Sequence, residues 1–455
     1  MLKTLTCVFV FFTCLIFFIV NYFVRKPYMD EIFHYPQALK YYNGSFFEWD
    51  PKITTPPGLY LSSVTILIPL SKLIEYDLRK IEYFRITNLF FTFGNFFLLY
   101  KILCLQHLKD EERFKILSAM NISMFPVLYF FTFLYYTDCG SVFFVLLMYY
   151  WNKKYCFISA AIAGALSIFF RQTNIVWVFY LAVDETLHIL MLLFSEALMK
   201  KDKEMSDLTF PELIKISQPF WKDHWKELLM QMVEVNLGYF AVGVGFVLFV
   251  SINGSVALGD KGAHQVCLNL PQILYFLLFC LFFASPYLIS WYKTKEFVLF
   301  VNSHKLCVTL MFIAFSFCII FMSHIHQYLL ADNRHLTFYI WRRLLGRNIL
   351  LSLLLVPIYI YSCWSVFCSV QEKNVYSKLI LAFCVIISTI PQKLLELRYF
   401  IIPYIMLRIH IKTETKWQPY LEFLVYAFVN YLVLYLFLFK AFMWHDSEEV
   451  QRFMW

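Results

Sequence analysis

The residues best suited to acid–base chemistry lie in one polar, aromatic stretch that runs from Tyr28 to Tyr60. Asp30 and Glu31 are adjacent near its beginning, and Asp50 follows in the run EWDPKITTPPGLY. A charged side chain at the bilayer centre costs roughly 2.5–3.5 kcal/mol on insertion scales, so these carboxylates must lie in water or in a polar cavity. A partly dry cavity raises the pKa of a carboxyl group towards neutral pH, which makes it a better general base. A solvated loop with charges at a helix end is the alternative interpretation.

Trp49, in the same stretch, offers a flat aromatic face on which a sugar ring can stack. Pro51, Pro56 and Pro57 restrict the backbone around it. The run therefore predicts either a sugar-contacting surface or a rigid structural turn, and the residues alone leave both open.

Polar segments further along the chain could hold an anionic group. Arginine presents a planar fork that binds a phosphate through two hydrogen bonds, and these segments stand at the ends of apolar runs. The cationic candidates are Arg171, Lys261, Arg334 and Arg398, and the same segments also contain Asp138, His264 and His335. A polar turn at Asp138, snorkelling of Arg171 to the interface and a salt bridge between Arg398 and Glu396 would explain some of these residues without a substrate.

The composition is typical of a polytopic membrane protein. Of its 455 residues, 60% are hydrophobic, 15% are charged and 52 are Phe, with a mean hydropathy of +0.63, which is more apolar surface than one soluble core can bury. The net charge of +8 is spread through loops without a basic stripe, so nucleic acid is not an expected partner. The 12 cysteines show no C-x-x-C spacing, and His324-x-His326 has no further closely spaced ligand, so no metal site is predicted.

Apolar runs of roughly spanning length predict an all-α bundle with about 13 transmembrane helices, within a range of 11–14. The candidate runs are 4–24, 86–105, 116–136, 138–152, 155–171, 173–195, 236–253, 271–291, 306–323, 346–369, 379–394, 400–412 and 419–442. The first of them is expected to be a retained signal-anchor helix. A further run, 58–74, is interpreted as a helix at the membrane interface, begun by Pro56 and Pro57.

This interfacial helix keeps the unusual polar segments on one side of the membrane, whereas a crossing helix would separate the first segment from the others. The chain then divides into a first transmembrane helix (1–24), a catalytic loop (25–85), transmembrane helices (86–195), a cytoplasmic loop (196–233) and further transmembrane helices (234–455). The connections on the other side are rich in Lys, as cytoplasmic loops are. Two sequons, at Asn43 and Asn253, fall on the proposed non-cytoplasmic side and are candidates for glycosylation.

Long strings of the sequence resemble one known family. They are YMDEIFHYPQA, EWDPKITTPPGLYL, FLYYTD, FRQTNIVW, GDKGAH, LLADNRHLTFYIWRR, LLELRYFIIPY and the terminal QRFMW. In this order they are similar to the endoplasmic-reticulum α-1,2-glucosyltransferases of the dolichol-linked oligosaccharide pathway, which add the terminal, third glucose to the lipid-linked N-glycan precursor. The resemblance extends from the first helix to the last residues.

The resemblance implies a glycosyltransferase of the GT-C superfamily in the endoplasmic-reticulum membrane, with its active site on the lumenal face. The donor would be dolichyl phosphate β-glucose, and the acceptor the diglucosylated oligosaccharide on dolichyl diphosphate. An α product from a β donor implies inversion by a single displacement. No cofactor is expected, because the leaving group is a lipid monophosphate that Arg and Lys can neutralise.

The resemblance also assigns expected roles. Asp30 would be the catalytic base, with Glu31 orienting the acceptor or exchanging roles with it. The donor phosphate would be bound by residues among Arg171, Lys261, Arg334 and Arg398, and the sugars or the acceptor by residues among Trp49, Asp50, Asp138, His264 and His335.

Three other functions are compatible with the same composition. A mannosyltransferase that uses dolichyl phosphate mannose would have the same architecture, and only the family strings favour glucose. A transporter would need helix-breaking residues and a binding site at mid-membrane, whereas the polar segments here stand at helix ends and only 12 residues are Gly. A non-catalytic membrane partner would not need the acidic pair.

Overall fold

The structure is a computed structural model of the whole chain, and it describes residues 2–108, 110–199, 210–259, 267–322, 332–346, 348–370, 375–392, 394–445 and 449–455. Helices dominate. Six of them are long and apolar enough to cross a membrane: 3–23, 81–106, 172–192, 225–253, 349–369 and 418–439. The chain is therefore a polytopic, helical membrane protein.

The number of spans is lower by this measure than the predicted thirteen. One helix pair, Trp291–Ser303 and Lys305–Phe321, is bent by 99° and would give a seventh span if counted as one. Four shorter apolar helices contain 10–17 residues, fewer than the roughly 20 residues that reach across the hydrocarbon core. The count of thirteen stays a prediction.

The first half of the chain forms ten α-helices in the described residues. They are α1 Leu2–Phe23, α2 Glu31–Tyr42, α3 Gly58–Ile74, α4 Ile81–Gln106, α5 Glu112–Ser123, α6 Pro126–Phe131, α7 Asp138–Lys153, α8 Phe157–Phe170, α9 Ile175–Met199 and α10 Phe210–Asn253. A 3-10 turn, Gln172–Asn174, joins α8 to α9.

The second half continues with shorter pieces. They are α11 Pro271–Phe283, α12 Ser285–Leu288, α13 Trp291–Ser303, α14 Lys305–Phe321, α15 Leu336–Ile340, α16 Ile349–Leu354, α17 Val356–Ser369, α18 Val375–Thr389, α19 Ile401–Arg408 and α20 Gln418–Phe439. A π-helical turn, Trp341–Leu345, follows α15, and a 3-10 turn, Leu397–Phe400, precedes α19. Strands β1 Phe442–Met443 and β2 Val450–Gln451 pair antiparallel.

Three of the predicted runs are interrupted. The run 116–136 divides into α5 and α6, 271–291 divides at Ala284, and 346–369 divides at Leu355. Each new helix has a proline in its first turn, where the missing N–H costs nothing, whereas within a helix the same proline removes a hydrogen bond. Apolar run length by itself does not reveal such breaks.

Helix α3 occupies the predicted range 58–74. Its first residue, Gly58, lies so close to the end of α8 that a Cβ atom there would stand 2.5 Å from the carbonyl oxygen of Phe169. Only glycine permits this approach, which holds the polar stretch against the end of α8, next to Arg171. The interfacial position of α3 stays a prediction.

Aromatic rings fill the centre of the bundle. Phe125 stacks on Tyr404 with ring centroids 4.6 Å apart, and both rings lie beside Phe279 and Phe283. Because lipid is as apolar as these side chains, helices in a membrane associate through close packing rather than through hydrophobic exclusion from water. Aromatic pairs add about 0.5–1.5 kcal/mol each beyond the area they bury.

The segment 450–455 docks against the beginning of the polar stretch. The backbone N–H of Arg452 donates to the hydroxyl of Tyr28 at 2.8 Å, and Met454 exchanges backbone hydrogen bonds with the segment around Arg334. The indole N–H of Trp455, a buried side chain, donates to the carbonyl of Pro126. The segment therefore ties the entry of α2 to α6 and to residues 332–336.

Candidate active site

Charged side chains from four places in the chain converge where helices begin or end. Asp30 is the N-cap of α2, Asp138 is the first residue of α7, Arg171 follows the last residue of α8, and Arg398 lies in the 3-10 turn before α19. Backbone groups at helix ends lack partners within the helix, so polar side chains are tolerated there. We call these four residues, together with Glu396, the open cluster.

Arg398 is the centre of the open cluster. Its Nη1 lies 3.0 Å from Oδ2 of Asp30 and 3.9 Å from Oδ2 of Asp138, and its Nε donates to Glu396. The guanidinium group also lies over the rings of Phe131 and Tyr136, at 5.3 and 5.2 Å from their centroids. The side chain is 15% exposed. The salt bridge between Arg398 and Glu396, which the sequence left open, is therefore present. Arg398 also pairs with Asp30 and Asp138.

Asp138 and Arg171 form the second ion pair of the open cluster. Oδ1 of Asp138 lies 2.8 Å from Nη2 of Arg171, whose Nε donates weakly to the hydroxyl of Thr137. The Asp138 side chain is only 3% exposed, and its Oδ2 has no hydrogen-bond partner. A buried oxygen without a donor is costly, so this atom is available to a hydroxyl group of a ligand.

The Asp138–Arg171 ion pair and the side chain of Arg398 line a narrow cleft. Its walls include Asp138, Arg171, Asn174, Gln392 and Arg398, with Trp177 and Tyr399 among the apolar surfaces. Polar groups that converge in a partly apolar cleft are typical of a small-molecule site. In the part of the chain that the structure describes, Nη1 of Arg171 and Nη2 of Arg398 make no hydrogen bond or ion pair with protein, so these donors remain available.

Asp30 is the most accessible acid of the open cluster, with 39% of its side chain exposed. Burial raises the pKa of its carboxyl group, but the charge of Arg398, the nearby His34 and the hydrogen bond from Arg398 together outweigh burial and hold the pKa below its ordinary value. Its backbone N–H donates to the hydroxyl of Tyr136 at 3.1 Å. Asp30 is thus a fixed, ionised carboxylate that a substrate can reach.

The neighbouring Glu31 is fully buried, and all of its hydrogen-bonding capacity is taken by protein donors. One oxygen accepts from Nε of Arg85 at 2.8 Å and from the backbone N–H of Tyr135, and the other accepts from Nη2 of Arg85 at 2.6 Å and from the N–H of Tyr28. Both oxygens are occupied. Glu31 therefore fixes the backbone on either side of Asp30, and no substrate atom can reach it in this arrangement.

Arg85 was missed as a functional residue because the predicted helix began at 86. The helix begins at Ile81 instead, so the buried Arg85 lies in its second turn. Its five N–H groups donate to Glu31 twice and to Asn21, Val24 and Lys26. An arginine beside an apolar run needs a partner of this kind, which is the signal that could have identified it.

Arg334 and His335 belong to a neighbouring group. Arg334 is paired with Asp332 at 2.8 Å, donates to Gln451 and lies over the ring of Trp444. His335 contacts the carbonyl oxygen of Trp455 through Nδ1 at 2.6 Å. Among the described residues neither side chain touches Arg171 or Arg398. His335 is nevertheless near enough to contribute to the lowered pKa of Asp30 and of Glu396.

Trp49 and Asp50 have local partners. The indole N–H of Trp49 donates to the carbonyl of Ile53 at 3.2 Å, and its ring packs against Tyr60. Asp50 accepts from the backbone N–H of Lys52 and donates its own N–H to Gln37. Both side chains are partly exposed. Their contacts are those of a rigid turn, and the prediction that they contact sugar is untested.

The remaining predicted residues are these. Lys261 and His264 lie outside the described residues. The segment that leads to them reaches the polar stretch, because the N–H of Leu258 donates to the carbonyl of Thr54. Asn43 is exposed just after α2, and Asn253 is partly buried at the end of α10.

His34 lies beside the open cluster and was not among the predicted site residues. Its Nδ1 is 2.6 Å from the hydroxyl of Tyr60, and its ring meets that of Tyr136 edge to face. Burial lowers the pKa of His34 to about 4, against the opposing charge of Asp30. The spacing is informative in retrospect, since residues four apart on a helix share one face, and Asp30 and His34 are four apart.

Comparison with known proteins identifies the chain. A model of the DIE2/ALG10 family matches residues 24–409. A human protein named Dol-P-Glc:Glc(2)Man(9)GlcNAc(2)-PP-Dol alpha-1,2-glucosyltransferase is 38% identical over 99% of this chain and 98% of its own length. A rat protein of that name is 39% identical over the same shares, and one from Arabidopsis thaliana is 32% identical over 96% of each chain.

No solved structure matches the chain. The family match and the relatives extend over almost the whole sequence, as the resemblance of its strings predicted. The chain belongs to the DIE2/ALG10 family.

Proposed function

We propose that this protein transfers glucose from dolichyl phosphate β-D-glucose to the diglucosylated oligosaccharide on dolichyl diphosphate, forming the terminal α-1,2-glucose of the N-glycan precursor. The names of the full-length relatives support the reaction. The observation that carries the assignment of the site is the accessible Asp30 carboxylate, which is held 3.0 Å from Arg398, a residue that lines the cleft. A base and a phosphate-binding cation are thereby adjacent.

The reaction is a single displacement. Asp30 accepts the proton of the acceptor 2-hydroxyl while the oxygen of that hydroxyl bonds to C1 of the donor glucose. The bond from C1 to the phosphate oxygen breaks, and its electron pair leaves with dolichyl phosphate. Attack opposite the leaving group inverts the β donor to an α product. A positioned general base contributes typically 10²–10⁴-fold to such a rate.

Arg398 and Arg171 receive the negative charge that develops on the phosphate. Nη1 of Arg171 and Nη2 of Arg398 have no protein partner among the described residues, so a phosphate can bind them in the planar geometry that guanidinium prefers. When the phosphate engages Arg398, Asp30 loses part of its counter-charge and becomes a stronger base. Binding of the sugar donor thereby raises the basicity of Asp30, the residue that accepts the proton of the acceptor hydroxyl.

Three further candidates stay in the proposal for the donor phosphate and the sugars. Lys261 and Arg334 would add positive charge, and Asp138 would accept from a sugar hydroxyl through its free Oδ2. No metal or other cofactor is part of the proposed reaction, because the leaving group is a monophosphate. The GT-C fold, the endoplasmic-reticulum membrane and a lumenal active site also belong to the proposal.

Glu31 is proposed to position Asp30 rather than to share its role. Its two oxygens already accept four hydrogen bonds, and a carboxylate with no free lone pair on the substrate side cannot receive a proton from a sugar. Sequence reasoning left the choice between the two acids open. The saturated environment of Glu31 favours Asp30.

The test is transfer by the purified protein in lipid nanodiscs, with dolichyl phosphate glucose and the diglucosyl lipid-linked oligosaccharide. We expect a triglucosylated product from the wild-type protein, and a loss of about 10²–10⁴-fold in kcat for Asp30→Asn. The melting temperature of this variant should stay near that of the wild type, because Asp30 is partly exposed. Dolichyl phosphate mannose serves as the donor control.

A folded wild-type protein that makes no product, or prefers the mannosyl donor, would contradict the proposed reaction. Full activity of Asp30→Asn would leave the reaction standing and remove Asp30 as its base. Glu31→Gln separates the two acids, since it should lower the melting temperature as well as the rate.

A further inference from the structure

His34 lies beside the open cluster, and the proposed reaction gives it no role. It projects from the first turn of α2, is 9% exposed, and is close enough to Asp30, Arg398 and Arg171 for their charges to shift its pKa. Among the described residues the ring has one hydrogen-bond partner, Tyr60, whose hydroxyl lies 2.6 Å from Nδ1. This hydrogen bond uses only one of the two ring nitrogens. The other, Nε2, is on a buried ring beside the open cluster, so its protonation state and its ligand need an explanation.

The hydrogen bond to Tyr60 determines which nitrogen carries the proton. Tyr60 is fully buried, and His34 is the only hydrogen-bond partner of its hydroxyl among the described residues. If Nδ1 donated to Tyr60, the hydroxyl proton would be buried without an acceptor, which costs about 1–3 kcal/mol. The hydroxyl therefore donates to Nδ1. Since burial keeps the ring neutral above a pKa of about 4, the single ring proton is on Nε2.

Nε2–H is thus a fixed donor on the ring edge opposite Tyr60. In the part of the chain that the structure describes, no protein group accepts from it. The surroundings restrict what it can bind. Arg398 and Arg171 oppose a cation nearby, and a phosphate is better served by those guanidinium groups, whereas a neutral hydroxyl oxygen suits a neutral N–H donor beside a carboxylate.

We propose that His34 is a specificity-determining residue whose Nε2–H donates a hydrogen bond to a sugar hydroxyl oxygen at the reacting centre. This inference rests on the proposed glucosyl transfer. Tyr60 acts as a positioning residue, because it locks the tautomer that makes Nε2 a donor. The hydroxyl belongs either to the glucose of the donor or to the terminal glucose of the acceptor, since both carry the same chemistry.

Two substitutions of His34 distinguish a donor at Nε2 from a merely structural ring. The amide nitrogen of glutamine reaches the position of Nε2, whereas the shorter asparagine reaches only towards Tyr60. We expect kcat/KM for transfer to fall about tenfold in His34→Asn, the value of one hydrogen bond, and to stay within about threefold of wild type in His34→Gln. The KM that rises, for donor or for acceptor, identifies the sugar.

Tyr60→Phe tests the lock without changing His34. The freed ring can place its proton on either nitrogen, so kcat/KM should fall about threefold. Tyr135→Phe is the matched control, because it removes another buried tyrosine hydroxyl, bonded to Ser63 at 2.8 Å, that is not bonded to His34. This control should cost similar stability and keep the wild-type kcat/KM.

The outcomes separate the two levels of inference. Wild-type transfer with unchanged kcat/KM in both His34 variants would overturn the role of His34 and leave the reaction intact. Equal losses in His34→Asn, His34→Gln and Tyr135→Phe that follow their melting temperatures would show a structural ring and overturn it as well. Absence of transfer by the folded wild-type protein would overturn the reaction itself, and the role of His34 with it.

Discussion

Two adjacent acids, Asp30 and Glu31, belong to two arginine–carboxylate groups that differ in how many donors and acceptors are used. Glu31 pairs with Arg85 in what we call the closed pair, and Asp30 pairs with Arg398 in the open cluster. In the closed pair, Arg85 uses all five N–H donors and Glu31 uses both oxygens, with no exposure of either side chain. In the open cluster, Arg398 shares its charge among three carboxylates, and its Nη2 has no protein partner among the described residues. The same residue types therefore serve structure where donors and acceptors are all used, and chemistry where some are left.

A second closed pair repeats the first elsewhere in the bundle. Glu422 of α20 is fully buried and accepts from Arg408, Asn121 and Tyr287. Removing one partner from a buried pair leaves the other charge uncompensated, whereas the pair itself adds little net stability. Closed pairs should accordingly respond to mutation through folding, and the open cluster through rate.

The largest contrast is expected between two arginines. Arg398→Met should reduce kcat by at least about 10²-fold, the usual effect of removing one donor to a developing oxyanion. Its loss of melting temperature should be smaller than that of Arg408→Met, because Asp30 is partly exposed and Asp138 keeps its pair with Arg171. Arg408→Met should instead destabilise the fold by about 3–5 kcal/mol. Transfer assays and thermal unfolding in nanodiscs measure both. Equal melting temperatures for the two variants would contradict the distinction.

The closed pair at Arg85 gives a second test. Arg85→Met leaves the buried Glu31 charge unpaired and should lower the stability of the folded state by about 3–5 kcal/mol. Adding Glu31→Leu should restore much of that stability, because a well-packed apolar pair can replace a buried ion pair. The double variant should still transfer slowly, since the backbone around Asp30 has lost its anchor. A double variant no more stable than Arg85→Met would contradict this account.

The pH dependence of transfer should reveal the hold of Arg398 on Asp30. Arg398 lowers the pKa of Asp30, so the base stays ionised and active as pH falls towards its ordinary pKa of about 3.9. The stability of the pair follows the same sign: it is present above the unfolded pKa and is lost as pH falls through the folded one. Arg398→Lys cannot contact all three carboxylates at once, so the acid limb of its kcat profile should move to higher pH. If the acid limb of the kcat–pH profile did not shift in Arg398→Lys, Arg398 would not be what lowers the pKa of Asp30.

The smallest expected effect concerns the membrane side. Asn43 is exposed directly after α2, on the side proposed to be lumenal. Expressed in a eukaryotic cell, the protein should show a gel shift on deglycosylation that Asn43→Gln removes, while transfer stays within about twofold of wild type. A glycan on the opposite side, for example at a sequon engineered beside Lys153, would reverse the proposed orientation.

Much of the site was predictable at the level of segments. The polar segments around Asp30, Asp138, Arg171 and Arg398 were expected on one side because the run 58–74 was interpreted as an interfacial helix, and the structure brings them together. Their partners were less predictable. Arg334 is occupied by Asp332 and Gln451 instead of joining Arg398, because the docking of residues 450–455 draws it aside.

The sequence alone determined the class of protein, the residue range of α3, the family, and the acids and arginines from which a site is built, because hydrophobic run length, helix-end polarity and long family strings are local properties. The tertiary structure decided which acid is free. Asp30 and Glu31 are adjacent and chemically alike, yet Glu31 meets Arg85 from 54 positions away and is closed, while Asp30 meets Arg398 and stays reachable. Such a choice depends on long-range pairing and on the donors left over, and neither is written in local sequence.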